Sequence, residues 1–356
     1  MSPLLFLLII AALYLASKPK FRLFVERDGM YLSRDWTSFV NAFFISLVVC
    51  SHCLILFETN IRDYFPERVT ASGVAKFGQL MVTTFFFYSG YGIMLSLLNR
   101  KGYTRMLIYP RFFSLSIDYI LAVAVYFVVH CIFTREVILG DFIGGVFSFR
   151  SLGHPTWFIL MTLLIYVLTY ACFLFHNGRN TNKIVILLTL LLIVTIFCVN
   201  KVKPDHWVNT LLCFPAGMLY YLYGERIEDV LKKSRVPSAI YALLFIAIGY
   251  FVYRAGFKPS IYTQNIGGIL FAIGTTWFYG SFQWRKPSQF LIWLGGSGLF
   301  SVYIFHLLPM RVITHLGLNN ENPYLIYLSV AVATFLLVYI FNIVYKKINS
   351  LLFSRQ

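Results

Sequence analysis

Long apolar runs with almost no charge constrain this chain more than any other feature. The first is Pro3–Ala16. Ten more follow at about 37–57, 78–98, 112–133, 156–175, 183–200, 207–223, 237–254, 263–282, 290–312 and 323–345, each near the ~20 residues that cross a bilayer as a helix. Inside hydrocarbon the backbone must bond to itself, so only helices and closed barrels span it. Barrel strands alternate apolar and polar residues with period two, and these runs do not. Charged residues are 12% of the 356, and hydrophobic ones 59%. That excludes a soluble globular enzyme, a disordered chain and a disulfide-rich secreted domain. The expected fold is an all-α polytopic membrane protein: a ten-helix core plus one short N-terminal helix, about eleven transmembrane segments in all.

Thirty basic residues against fourteen acidic give a formal charge of +16. In a soluble chain this would suggest nucleic acid, but no soluble basic segment interleaved with aromatics exists to carry it. Cytoplasmic loops retain basic residues, which gives the better account. Lys18, Lys20 and Arg22 follow the first run and none precedes it, the reverse of a secretory signal. The run therefore reads as an uncleaved anchor with its N-terminus outside. Alternating the loops from there assigns 20 of the 30 basic residues to the inside, so the C-terminus is expected in the cytoplasm. The long outer loops 58–77 and 134–155 are candidates for an exposed mouth. The expected organisation is 1–36 anchor helix and basic loop, 37–345 membrane domain, and 346–356 cytoplasmic tail.

The six cysteines (50, 53, 131, 172, 198, 213) all fall in apolar stretches and read as small hydrophobes. Cys50 and Cys53 bracket His52, but there is no second pair at zinc spacing and no redox-fold context. No metal site is expected.

Ionisable residues inside apolar helices are costly, and each is a functional candidate. His52 lies in NAFFISLVVCSHCLILFE, among apolar and small neighbours. A buried neutral imidazole suits a general base, and it equally suits a structural hydrogen bond to a neighbouring helix. Asp118 is expected to pair with Arg105 or Arg111, or to orient a distant histidine. His306 needs a polar partner, and Tyr303 stands three residues away on the same face. FFFYSGYG (Phe85–Gly92) ends a run with small residues that let a helix or ligand approach. His154-Pro155-Thr156-Trp157-Phe158 reads as an interfacial helix start. Asn99–Arg111 groups four basic residues, suited to lipid headgroups or to a phosphate-rich ligand.

In order along the chain, these segments resemble the acyltransferase-3 family of integral membrane acyltransferases. The apolar run closed by His52, the FFFYSG segment with Ser89 and Gly90, the basic stretch through Arg105 and Arg111, Trp157-Phe158, and the late Ser301, Tyr303, His306 pattern carry the resemblance. It implies transfer of an acetyl or other short acyl group from acyl-CoA to a hydroxyl of a cell-surface or exported glycan, in a bacterial inner membrane. Acetyl-CoA is then a donor substrate and not a tightly bound cofactor. The partners implied are a glycan or lipid-linked saccharide acceptor and membrane lipids. His52 would be catalytic, with Asn41, Arg105 and Arg111 near the donor. Ser89, Gly90, Asp118, Trp157, Tyr303 and His306 would support the substrates. Eleven positions before His52 the family usually has Arg or Lys, associated with the donor; this chain has Asn41. Asn can donate a hydrogen bond but supplies no charge. Other basic residues could take its place, or the donor or the activity could have changed. The rival reading is a transporter or exporter whose intramembrane His and Asp line a path.

Overall fold

The computed structural model describes residues 3–56, 73–75, 77–174, 176, 180–254, 260–318 and 322–353. The expected outer loop 58–77 lies almost wholly outside these residues. Every apolar run forms a helix. The longer elements are α1 (Pro3–Ala16), α2 (Arg34–Leu56), α3 (Leu80–Asn99), α4 (Tyr103–Met106), α5 (Phe113–Thr134), α6 (Leu139–Val146), α7 (Trp157–Phe173) and α8 (Thr181–Val199). They continue as α9 (Cys213–Lys233), α10 (Ser238–Arg254), α11 (Ile261–Gly280), α12 (Gln289–Gly295), α13 (Leu299–Phe305), α14 (Leu307–His315) and α15 (Pro323–Phe353). Among the described residues five helices are long and apolar enough to cross a membrane, or up to seven if each bent pair counts as one span. The expectation of about eleven spans is narrowed accordingly. α1 and α7 are shorter than a full span, and the run expected at 290–312 is broken into α12, α13 and α14 with a 62° bend.

Small residues set the helix crossings, as they do where lipid offers no hydrophobic drive. A Cβ at Gly90 of α3 would overlap the carbonyl oxygen of Phe214 on α9, and one at Gly217 would overlap that of Phe87. α10 and α11 cross at Gly249 and Gly267, where the nearest backbone atoms would stand 2.6 Å from an added Cβ. Gly295 closes α12 onto Ser38, Asn41 and Ala42 of α2 in the same way.

Before α2 the chain is tied down by backbone. Strands β1 (Pro19–Phe21) and β2 (Phe282–Trp284) pair antiparallel, with Lys20 opposite Gln283. The Ser238 amide donates to Leu23 O at 2.8 Å, and the Val25 amide to Ser238 Oγ at 3.1 Å. Beyond them Arg27 Nε lies 2.9 Å from Glu228 Oε2. Glu228 is buried in α9 and also accepts from Tyr31 (3.0 Å) and Tyr220 (2.6 Å), while Trp277 Nε1 donates to the Tyr220 hydroxyl at 2.8 Å. The stretch 224–233, read from sequence as a basic loop, is therefore the last turns of α9, packed under the N-terminal segment.

α1 reaches into α2. The Tyr14 hydroxyl donates to Phe39 O and accepts from the Phe43 amide at 3.1 Å. Those two groups are the partners of one i→i−4 bond, so the hydroxyl is inserted into the ladder of α2, a recognised cause of local bending. Asn41 lies in that turn.

The glycine crossings give a direct test. Gly90→Ala or Gly217→Ala places a methyl on backbone and should cost about 3 kcal/mol or more. Gly92→Ala, two residues on and on the other face of α3 with nothing within 4 Å, should be tolerated. Size-exclusion profiles and thermal midpoints in detergent check this; equal behaviour of the three variants would disprove the crossing.

Candidate functional site

A cavity of about 200 Å³ lies inside the bundle. Asn41 of α2, Phe86 and Ser89 of α3, Phe158 and Thr162 of α7, and Tyr303 of α13 line it. Asn41 is 9% exposed and Tyr303 2%. Neither Asn41 Oδ1 nor the Tyr303 hydroxyl has a hydrogen-bond partner. A buried polar atom left unpaired costs about 1–3 kcal/mol. Both belong to residues that line the one cavity, which suits a ligand that brings a donor or an acceptor beside them.

Next to the cavity stands a pair of histidines. The rings of Tyr303 and His306 have centroids 6.2 Å apart, without a hydrogen bond between them. His306 is fully buried. Its Nε2 lies 2.6 Å from Nδ1 of His52, and its Nδ1 lies 3.1 Å from Val302 O. The two rings are 6° from parallel with centroids 4.9 Å apart. A nitrogen contact so much shorter than the centroid separation places the rings edge to edge, nearly in one plane, and not face to face. That is the direction of an imidazole lone pair, so the bond is straight. The polar partner that His306 required is thus His52, 254 positions earlier.

The other candidates are placed as follows. Ser89 faces the cavity, whereas Gly90 serves the α3–α9 crossing. Of Trp157-Phe158, Phe158 is the cavity residue; Trp157 meets His206 edge-on with centroids 6.0 Å apart. Arg105 and Arg111 are exposed, and the Arg111 guanidinium lies 5.3 Å from the Tyr103 ring centroid. The expected ion pair of Asp118 with either arginine is absent among the described residues. Asp118 is buried on α5 beside the Tyr345 hydroxyl, with Oδ1 unpartnered. Both arginines are exposed whereas Asp118 is buried, and at Tyr109, within the turn Leu107–Phe112, the backbone leaves helical angles between Arg105 and α5.

Two features went unread in the sequence. His154, taken for an interfacial helix start, is 7% exposed, 3.4 Å from the Tyr119 hydroxyl and unpartnered at Nδ1. Burial pushes its imidazole down to about 4, against a raising contact from the Gly145 backbone and with a lowering one from Arg311. Glu228 was hidden among basic neighbours; an acid inside ERIEDVLKK was the available signal.

A family model described as an acyltransferase domain matches residues 35–343. No curated protein and no solved structure matches the chain.

Tyr303→Phe deletes only the unpartnered oxygen. It should leave the thermal midpoint of the ligand-free protein unchanged or raise it by a few degrees. A clear drop would mean that the hydroxyl has a partner within the protein.

Proposed function

The chain belongs to the membrane acyltransferase family, and from that premise we propose that it moves an acetyl or other short acyl group from acyl-CoA to a hydroxyl of a cell-surface or exported glycan. The observation that carries the reading is the intramembrane His52–His306 pair beside a cavity with two unpartnered polar atoms. His52 removes the proton of the acceptor hydroxyl as its oxygen attacks the thioester carbonyl. A tetrahedral oxyanion forms, and a hydrogen bond from Tyr303 is the stabilising contact that the cavity offers. Its collapse breaks the C–S bond, and the imidazolium returns the proton to the departing thiolate. Atoms and charge balance: an ester and free CoA thiol form from a thioester and an alcohol.

The donor enters from the side of Arg105 and Arg111, whose guanidinium groups suit its phosphates. Eleven residues separate Asn41 from His52, about 16 Å along a helix, roughly half of the hydrocarbon core. The amides of a pantetheine arm complement Asn41 Oδ1, which offers an acceptor and no charge. In this reading the protein sits in a bacterial inner membrane with its N-terminus outside. The acceptor, free or lipid-linked, approaches His52 from the outer side.

The test is calorimetric binding of acetyl-CoA to the detergent-solubilised protein, beside a transfer assay on glycan acceptors. Saturable binding is expected, tighter in Asn41→Arg and retained in His52→Ala, while His52→Ala lowers transfer by about 10²–10⁴-fold. Failure of every folded version to bind would overturn the acyl-CoA reading in favour of transport, another donor or an inactive scaffold.

A further inference from the structure

We infer that His306 is a positioning residue that fixes the tautomer of His52, leaving Nε2 of His52 as the basic nitrogen. Its role in transfer rests on the acyl-transfer reading; the assignment of the proton does not. Val302 fixes the first proton. Its carbonyl oxygen can only accept, so His306 Nδ1, 3.1 Å away, carries the proton. The same oxygen accepts from the His306 amide at 3.1 Å, so the ring is pinned to its own turn. A neutral imidazole has one N–H, which leaves His306 Nε2 a bare lone pair. His52 Nδ1 lies 2.6 Å from it along the ring plane and must be the donor. Nδ1 of His52 is then protonated, and its Nε2 is not.

The opposite proton arrangement needs His306 to be an imidazolium with both nitrogens donating. That would place a cation at a fully buried position. Among the described residues no carboxylate lies within ion-pair distance of either ring; the one histidine–carboxylate pair is His130 with Asp141. An uncompensated charge at such a site is too costly to hold. The neutral relay Val302 C=O, His306, His52 is the arrangement that leaves no lone pair facing a lone pair.

Location reinforces the assignment. His306 stands between α13 and α14 with helical backbone angles, three residues before Pro309, which has no N–H to donate within the helix. The Ile304 carbonyl beside it accepts from the Tyr126 hydroxyl of α5 at 2.7 Å, fixing the segment from a second side. The logic is that of a base oriented by a third group, here a neutral imidazole bound to a carbonyl in place of a carboxylate. When His52 takes a proton at Nε2, its Nδ1–H bond to His306 becomes charge-assisted and strengthens.

The test is nitrogen NMR of the full-length protein labelled with 15N-histidine, signals being assigned by single replacements. The wild type should show His52 protonated at Nδ1. In His306→Leu, which removes the acceptor, His52 should revert to the Nε2–H form that free imidazole prefers. The transfer kcat should fall by about 10²–10⁴-fold, the range seen when a catalytic histidine is held in the wrong tautomer, with KM for acyl-CoA little changed. His306→Gln, whose amide oxygen accepts the same Nδ1–H, should restore the tautomer and at least about ten-fold of the lost rate. A wild-type His52 protonated at Nε2, or a tautomer indifferent to His306, would overturn the inference even if transfer is confirmed. The expected tautomer in a protein that binds no acyl-CoA would instead uphold the proton assignment and overturn the acyl-transfer reading.

Discussion

A polar group inside an apolar bundle must be answered by another polar group, because no water competes for it. This constraint organises the molecule. His52 on α2 is answered by His306 between α13 and α14, and His306 by the carbonyl of its own turn. Tyr14 is answered by the backbone of α2, and Glu228 by Arg27, Tyr31 and Tyr220. The pairings of His52 with His306, of Tyr14 with α2, and of Glu228 with Arg27 and Tyr31 tie segments distant in sequence, and these polar contacts are superposed on non-directional apolar packing. Against that background several buried polar atoms have no partner, among them Asp118 Oδ1, His154 Nδ1 and, on residues that line the cavity, Asn41 Oδ1 and the Tyr303 hydroxyl.

The cavity exists because the helices around it are held together elsewhere. Gly90 and Gly217 bring α3 and α9 to backbone contact on one side, and Gly295 brings α12 onto α2 on another. Large side chains, Phe86, Phe158 and Tyr303 among them, then meet at the cavity wall. The chain thus alternates close contact with aromatic bulk. Ser89 and Gly90, adjacent in one motif, divide the two tasks: the serine faces the cavity, and the glycine permits the crossing.

Much of this was legible in the sequence. Length and apolarity of the runs located every major helix, since membrane helices carry their own backbone hydrogen bonds and need no distant partner to be recognised. His52, Ser89 and Tyr303 stood out as polar residues in apolar or small-residue surroundings. What sequence could not supply was pairing. His306 demanded a partner, but 254 positions separate it from His52 and no local period links them. Asp118 was matched to the nearest arginines along the chain, but it is buried and they are exposed. The broken α12–α13–α14 segment read as one run because composition is blind to direction; Gly296 and Gly298 mark the bend only once α12 is seen against α2. Glu228 was not singled out, because the basic residues around it read as a loop.

Asn41 is where these lines meet. Its turn of α2 is touched from one side by Gly295 of α12 and opened from another by the Tyr14 hydroxyl, which takes the Phe39 carbonyl and the Phe43 amide. The matched acyltransferase domain begins at residue 35, so α1 and its Tyr14 lie outside it while acting within it. The inserted hydroxyl makes that turn locally polar beside side chain 41, which lines the cavity. A long cationic side chain there would carry its charge away from the backbone. Asparagine is short and reaches only what its own turn is aimed at. Tyr14 and the short side chain at 41 thus act on one turn of α2, so that α1, from outside the matched domain, contributes to the polar surroundings of the cavity wall.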